Sequence, residues 1–166
     1  MAAYTEWQNR NTYRAANTLT DEERQQDRGA FFGSIHATLN HILWGDQLWM
    51  HRLAGTAKPT RRDIAGSVYT HQQWDALRAD RVATDRTLIE WSSHVTEDDL
   101  AGDFSWYSST NKSECSRPKW SLIVQLFNHG THHRGQVHAM LTAAGARTDS
   151  TDIQYLNSDH FLWPDP

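Results

Sequence analysis

The chain has one cysteine, Cys115, and that scarcity removes two classes of structure at once. No intrachain disulfide can form, and no Cys-x-x-Cys pair exists to hold a metal or run redox chemistry. Any metal must therefore be held by nitrogen and oxygen. Cys115 itself reads as an incidental thiol in a polar loop. A basic excess is also missing: 16 Lys and Arg face 20 Asp and Glu, for a formal charge of −4. That balance argues against a nucleic-acid-binding surface. The adjacent basic pair Arg61-Arg62 reads as a solvated turn. No apolar run approaches the roughly 18–20 residues of a membrane span. Met1-Ala-Ala-Tyr-Thr-Glu lacks the charged and apolar regions of a signal peptide, so the expectation is a soluble cytoplasmic protein.

What is present is aromatic and imidazole-rich: eight Trp and ten His in 166 residues, enough for one domain with a proper core. Residues Ala2 to about Thr18 predict a first helix. Thr20-Asp-Glu-Glu23 is a capping box opening a short helical turn that fades near Gly29. A second long helix is expected from Ser34, a plausible cap, to Leu53, with Gly55 as its stop. Residues 55–70, with Pro59 and Gly66, read as a loop. A third helix runs from about His71 to Ser93, where Trp74, Leu77, Arg81, Thr84, Leu88 and Trp91 recur every three or four residues. Thr96 to Asp99 repeats the cap chemistry less cleanly. Phe104 to about Arg117 suggests a small hairpin. Pro118 then stands where a fourth helix, Lys119 to Ala144, begins, closed by Gly145. One further turn is expected around Ile153 to Leu156, before a tail ending at Trp163-Pro164. The pattern predicts an all-α bundle, an architecture that builds metal sites from side chains of facing helices.

The most informative stretch is His129-Gly-Thr-His132-His133-Arg134-Gly-Gln136. His129 and His133 are four apart, one turn on the same helical face. They continue the apolar stripe of Leu122, Leu126, Val137 and Met140, so both face inward if the stripe does. Two neutral imidazoles in a core need hydrogen-bond partners, and one shared cation would satisfy both. His132 lies about 100° away and reads as a flank. His138 steps off the stripe. His-x-x-x-His alone is a weak motif, and Gly130 stands where a zinc protease has its Glu.

The second helix offers His36, His41 and His51, and periodicity does not say which of them faces the fourth. Ile35, Leu39, Ile42, Trp49 and Leu53 form one stripe. Trp44 and Leu48 lie on another side, with His41 near them, so this helix is apolar on two faces and could touch both the bundle and a partner subunit. Asp46 falls on the main stripe, where a carboxylate is either paired, capping or functional, or sits exposed at the stripe edge. Asp46, Tyr107 and Glu90 are the candidate general acids or bases. Trp106 and Tyr107 either line a pocket mouth or simply pack a loop.

At this point the chain resembles the DinB family, part of the DinB/YfiT-like superfamily of metalloenzyme-like proteins. The resemblance covers nearly the whole sequence. It rests on Tyr4-Thr-Glu-Trp7-Gln-Asn9, on Phe31-Phe-Gly-Ser-Ile-His-Ala-Thr-Leu-Asn-His41-Ile-Leu-Trp-Gly-Asp46, on Trp49-Met-His-Arg52-Leu, and most specifically on Asn128-His129-Gly-Thr-His-His133-Arg134-Gly135-Gln136. It implies a four-helix bundle in up-down-down-up order, commonly a homodimer. It also implies a divalent metal, zinc or nickel, held by His41, His129 and His133. Related superfamily members include transferases and isomerases that use a low-molecular-weight thiol. The resemblance thus points to a metal-dependent enzyme activating a thiol or water, with a thiol S-transferase of stress or detoxification metabolism as one form. A non-catalytic metal-binding stress-response protein is the alternative, to be told apart by whether the metal keeps an exchangeable position.

Overall fold

The computed structural model describes residues 1–108 and 111–156. Along the chain run α1 (Ala2–Ala16), α2 (Asp21–Gln25), α3 (Ile35–Ala54), α4 (Ile64–Ser67), α5 (Trp74–His94), α6 (Glu97–Leu100), β1 (Asp103–Ser108), β2 (Ser113–Pro118) and α7 (Lys119–Ala143), then a 3-10 turn at Ile153–Tyr155. The local signals do their expected work. Thr20 Oγ1 accepts from Glu23 N at 3.2 Å while Glu23 Oε2 accepts from Thr20 N at 2.8 Å. Ser34 Oγ accepts from Ala37 N at 3.1 Å, which satisfies an orphan donor at the start of α3. Gly55, at φ +68°, closes the same helix in the left-handed conformation. Asp99 accepts from both N and Oγ1 of Thr96. The tail beyond Leu156, with Trp163-Pro164, lies outside the described residues.

Two buried clusters give the helices their directions. One joins Tyr13 and Ala16 of α1, Ile35 and Leu39 of α3, Trp74 and Leu77 of α5, and Val137 and Leu141 of α7. The other joins Ala2, Met50, Leu88 and Leu126. The first cluster therefore holds the end of α1, the beginnings of α3 and α5, and the end of α7. The second holds the opposite ends. The bundle runs up, down, down, up. α7 packs against α1 and α3, and α5 packs against the same two from the other side.

This order has a consequence for the connections. α3 and α5 are parallel neighbours, so the chain must return along the bundle between them. Residues 55–73 make that return. The sequence reads 55–70 as loop, but it contains α4, capped by Asp63, whose Oδ1 accepts from Gly66 N at 2.6 Å. A four-residue helix is too short to show periodicity, and the fold alone reveals it. The hairpin forms as expected, with β1 and β2 antiparallel and Trp106 opposite Cys115. Cys115 thus sits half-buried on a strand and not in a polar loop. Trp106 packs edge-on against Trp49 with ring centroids 6.1 Å apart, which ties the hairpin to the second half of α3.

Between the two apolar clusters lies a buried polar layer. Arg81 Nη1 donates to Asp46 Oδ2 at 2.7 Å, and Arg81 Nη2 lies 2.9 Å from Asp85 Oδ1. Asn9 Nδ2 donates to Asp85 Oδ1 at 2.8 Å, and Arg134 Nη1 reaches Asn9 Oδ1 at 3.4 Å. One network thus joins all four long helices. Asp46 is 1% exposed, so its place on the apolar stripe is that of a paired charge, which a low-dielectric interior requires.

Candidate metal centre

Next to Asp46 on α3, Gly45 has no side chain, and His129 of α7 packs directly over it. A Cβ there would meet His129 Cε1 at 2.9 Å and His129 Nδ1 at 3.2 Å. The missing side chain is the space the imidazole fills. Across this gap His41 Nε2 and His129 Nε2 stand 3.0 Å apart. His133 completes the group: ligand atoms of His41, His129 and His133 all lie within 4.8 Å of one another. Of the three candidates on α3, His41 is the one that meets α7. His36 is buried beside Asn40 of its own helix, and His51 Nδ1 donates to Thr56 O at 2.6 Å.

The protonation of these rings follows from their neighbours. Ser67 Oγ donates its single proton to Ile64 O at 2.6 Å, so it can only accept from His41 Nδ1, 2.8 Å away. That leaves Nε2 of His41 as a bare lone pair. His133 Nδ1 donates to Gln136 Oε1 at 2.8 Å, which likewise frees its Nε2. Hydrogen bonds at the far ring nitrogen are the usual means by which a protein orients a ligating imidazole. Burial, then the neighbouring imidazoles, push His41 down to about 3. Burial and His133 push His129 down to about 4, and burial lowers His133 as well. At neutral pH all three are uncharged bases. His129 Nδ1 is buried without a hydrogen-bond partner. At the other ring nitrogen, a proton between His41 Nε2 and His129 Nε2 satisfies that pair alone, whereas a cation would take one nitrogen from each of the three rings at once. Three neutral nitrogen donors fit a divalent metal ion.

The group opens on a cleft of about 810 Å³ walled by Phe32, Trp44, Leu48, Trp49 and Trp106. Tyr107, 60% exposed, lines it too, so the hairpin forms part of the cleft wall. The second apolar face of α3 is taken up here too: Trp44 is buried, its Nε1 donating to Arg61 O at 2.9 Å, and Leu48 lines the cleft. His132 is exposed, on the flank expected of it, and lines the same cleft. Asp46 does not line it, being engaged with Arg81, and Glu90 borders a separate groove between α1 and α5. Gly45 and Ser67 are the residues that reading the sequence missed. A glycine in mid-helix costs about 1 kcal/mol relative to Ala, so Gly45 was itself a signal of close approach. Ser67 carried no such sign.

Fold and site together define a helical-bundle protein with an open three-histidine cluster able to hold a metal ion. The DinB family model matches residues 1–160, and the chain belongs to the DinB family. It is also similar to protein DinB of Bacillus subtilis (strain 168), with 24% identity over 158 residues that cover 90% of this chain and 87% of the relative. No solved structure matches it. Among the described residues, no helix is long and apolar enough to cross a membrane.

Proposed function

We propose that this protein is a metal-dependent enzyme in which His41, His129 and His133 bind one divalent cation, zinc or nickel, and a thiol or water attacks an electrophile in the adjoining cleft. The observation that carries this reading is three uncharged imidazoles meeting at the edge of an open cleft. A site with three protein donors keeps a coordination position for a small molecule, as catalytic zinc sites do. A cation bound there would act as a Lewis acid and lower the pKa of a thiol or water towards neutrality. Ser67 and Gln136 hold two of the rings in the required tautomer, and Trp44 and Trp106 wall the reacting space against solvent. In the form we favour, a low-molecular-weight thiol loses its proton, its sulfur bonds to an electrophilic carbon, and the leaving group departs with the bonding pair. A cytoplasmic homodimer acting in stress or detoxification metabolism completes the reading.

The test begins with elemental analysis of untagged wild type beside the triple alanine variant of His41, His129 and His133. One metal per chain in the wild type and none in the variant is expected. Turnover of an aryl halide with a small thiol should be lost on His133→Ala and on chelation, and regained with zinc or nickel. Turnover indifferent to chelation would sink the enzymatic reading. A metal that exchanges no water and binds no anion would favour the non-catalytic alternative. Sedimentation velocity checks the dimer.

A further inference from the structure

The walls of the cleft carry a charge pattern that the three histidines do not use. Four of the 16 Lys and Arg in this acidic chain line this one cleft: Arg52, Lys58, Arg61 and Arg62. The acid among its lining residues is Asp63, and its carboxylate is engaged as the cap of α4. Arg61 is engaged as well, donating from Nε and Nη2 to Tyr69 O at 3.0 and 2.6 Å. Arg52 is different. It is half-buried in the last turn of α3, with its guanidinium carbon 4.7 Å from the ring centroid of Trp49 and 5.6 Å from that of Trp106. Among the described residues it makes no ion pair and no hydrogen bond. Two indole faces hold the cation in place and leave its five N–H donors free, which is how arginine is set up for planar recognition of an oxyanion.

The helix also gives a direction. His41, Trp44, Leu48 and Arg52 follow one another at steps of three, four and four, so they share one face of α3. At the helical rise, Arg52 stands about 16 Å beyond His41 along the axis. Its side chain leans back over Trp49, one turn towards the histidines. Between the two ends the cleft is apolar, walled by Trp44, Leu48 and Trp106.

We infer that the cleft takes an elongated organic anion: a carboxylate or phosphate held by Arg52, on an apolar body that lies along Trp44, Leu48 and Trp106 with its far end at the three histidines. Lys58 and Arg62 add their field at the rim and draw the anion in. The placing of the reactive end rests on the enzymatic reading above. The seat for the anion does not.

The probes are 4-phenylbutyrate, 4-phenylbutyl phosphate and the neutral 4-phenylbutanamide. Each is titrated by tryptophan fluorescence and calorimetry into zinc-loaded wild type, Arg52→Gln, Arg52→Lys and His133→Ala. In wild type at least one anion should bind about tenfold or more tighter than the amide, as charge-assisted hydrogen bonds do. The tighter of the two anions identifies the headgroup. Arg52→Gln should abolish the preference while its zinc stoichiometry stays at the wild-type value, and Arg52→Lys should restore part of it. An amide that binds as tightly as both anions, or a preference that survives Arg52→Gln, overturns the proposal. A preference kept in Arg52→Gln but lost in His133→Ala places the anion on the metal, so this inference fails while the metal reading stands. An Arg52-dependent preference in a protein that takes up no zinc leaves the anion site standing and removes the metal reading alone.

Discussion

Gly45→Ala should separate the metal site from the fold. The new Cβ would stand 2.9 Å from His129 Cε1 and 3.2 Å from Nδ1. Carbon atoms in contact settle near 3.5–4.0 Å, so the ring has to retreat by roughly 0.5–1 Å. Metal sites tolerate displacements of only about 0.5 Å before affinity falls. The obstacle is the end of a side chain and not backbone, so the helix pair can stay in register. Alanine regains about 0.8–1 kcal/mol of helix propensity, against roughly 1–3 kcal/mol for crowding a packed site. The net change in metal-free stability is then between about 0 and 2 kcal/mol of destabilisation, a fall of no more than about 8 °C in Tm for a chain of this size. Zinc affinity should drop about 10- to 100-fold, the range seen when a ligand loses its orientation. Competition with a chromophoric chelator measures the affinity, and circular dichroism of the metal-free protein measures the melt. Zinc binding within twofold of wild type would refute the claim that Gly45 exists to seat His129. A melt lowered far beyond this range would show that the glycine serves helix packing instead.

Ser67→Ala removes the acceptor that holds His41 Nδ1–H, and should weaken zinc binding by about tenfold with little change in the metal-free melt; the same chelator competition checks it. Arg81→Met leaves Asp46 and Asp85 buried without their cation, and should cost about 3–5 kcal/mol in a urea titration. Acidification should destabilise the metal-free protein. Unfolded histidines take up protons near pH 6.5, whereas folded His129 and His41 resist until about 4 and about 3, so the unfolded chain binds more protons across that window and stability falls with pH. Glu6 acts with the opposite sign: burial raises it to about 7, so its contribution is present below pH 4.5 and lost as pH rises towards 7. The urea midpoint of Glu6→Gln should therefore fall more steeply between pH 6.5 and 4.5 than that of wild type. A flat profile in both proteins would contradict the burial assigned to the histidines.

The caps and the long helices were legible because their causes are local. Thr20 and Glu23, Ser34 and Gly55 act within one turn of themselves, and the observed α3 ends within a residue of where the sequence predicts. The inward face of His129 and His133 was legible for the same reason, as an extension of the stripe from Leu122 to Met140. Asp46 was ambiguous because its stripe position says nothing of a partner, and Arg81 lies on a different helix. The short helix α4 left no periodic trace.

From its order of residues alone, this chain determined four long helices, most of their ends, and a pair of histidines one turn apart. Those features depend on hydrogen bonds and side-chain spacing within a few residues. Which histidine of α3 meets that pair, what neutralises Asp46, and where the cleft opens were decided only when the helices packed. The first depends on how closely α7 can approach α3, which the missing side chain at Gly45 permits, and on a returning segment that brings Ser67 to His41. The second depends on α5 packing against α3 so that Arg81 reaches Asp46, and the third on where the hairpin meets α3 and α7.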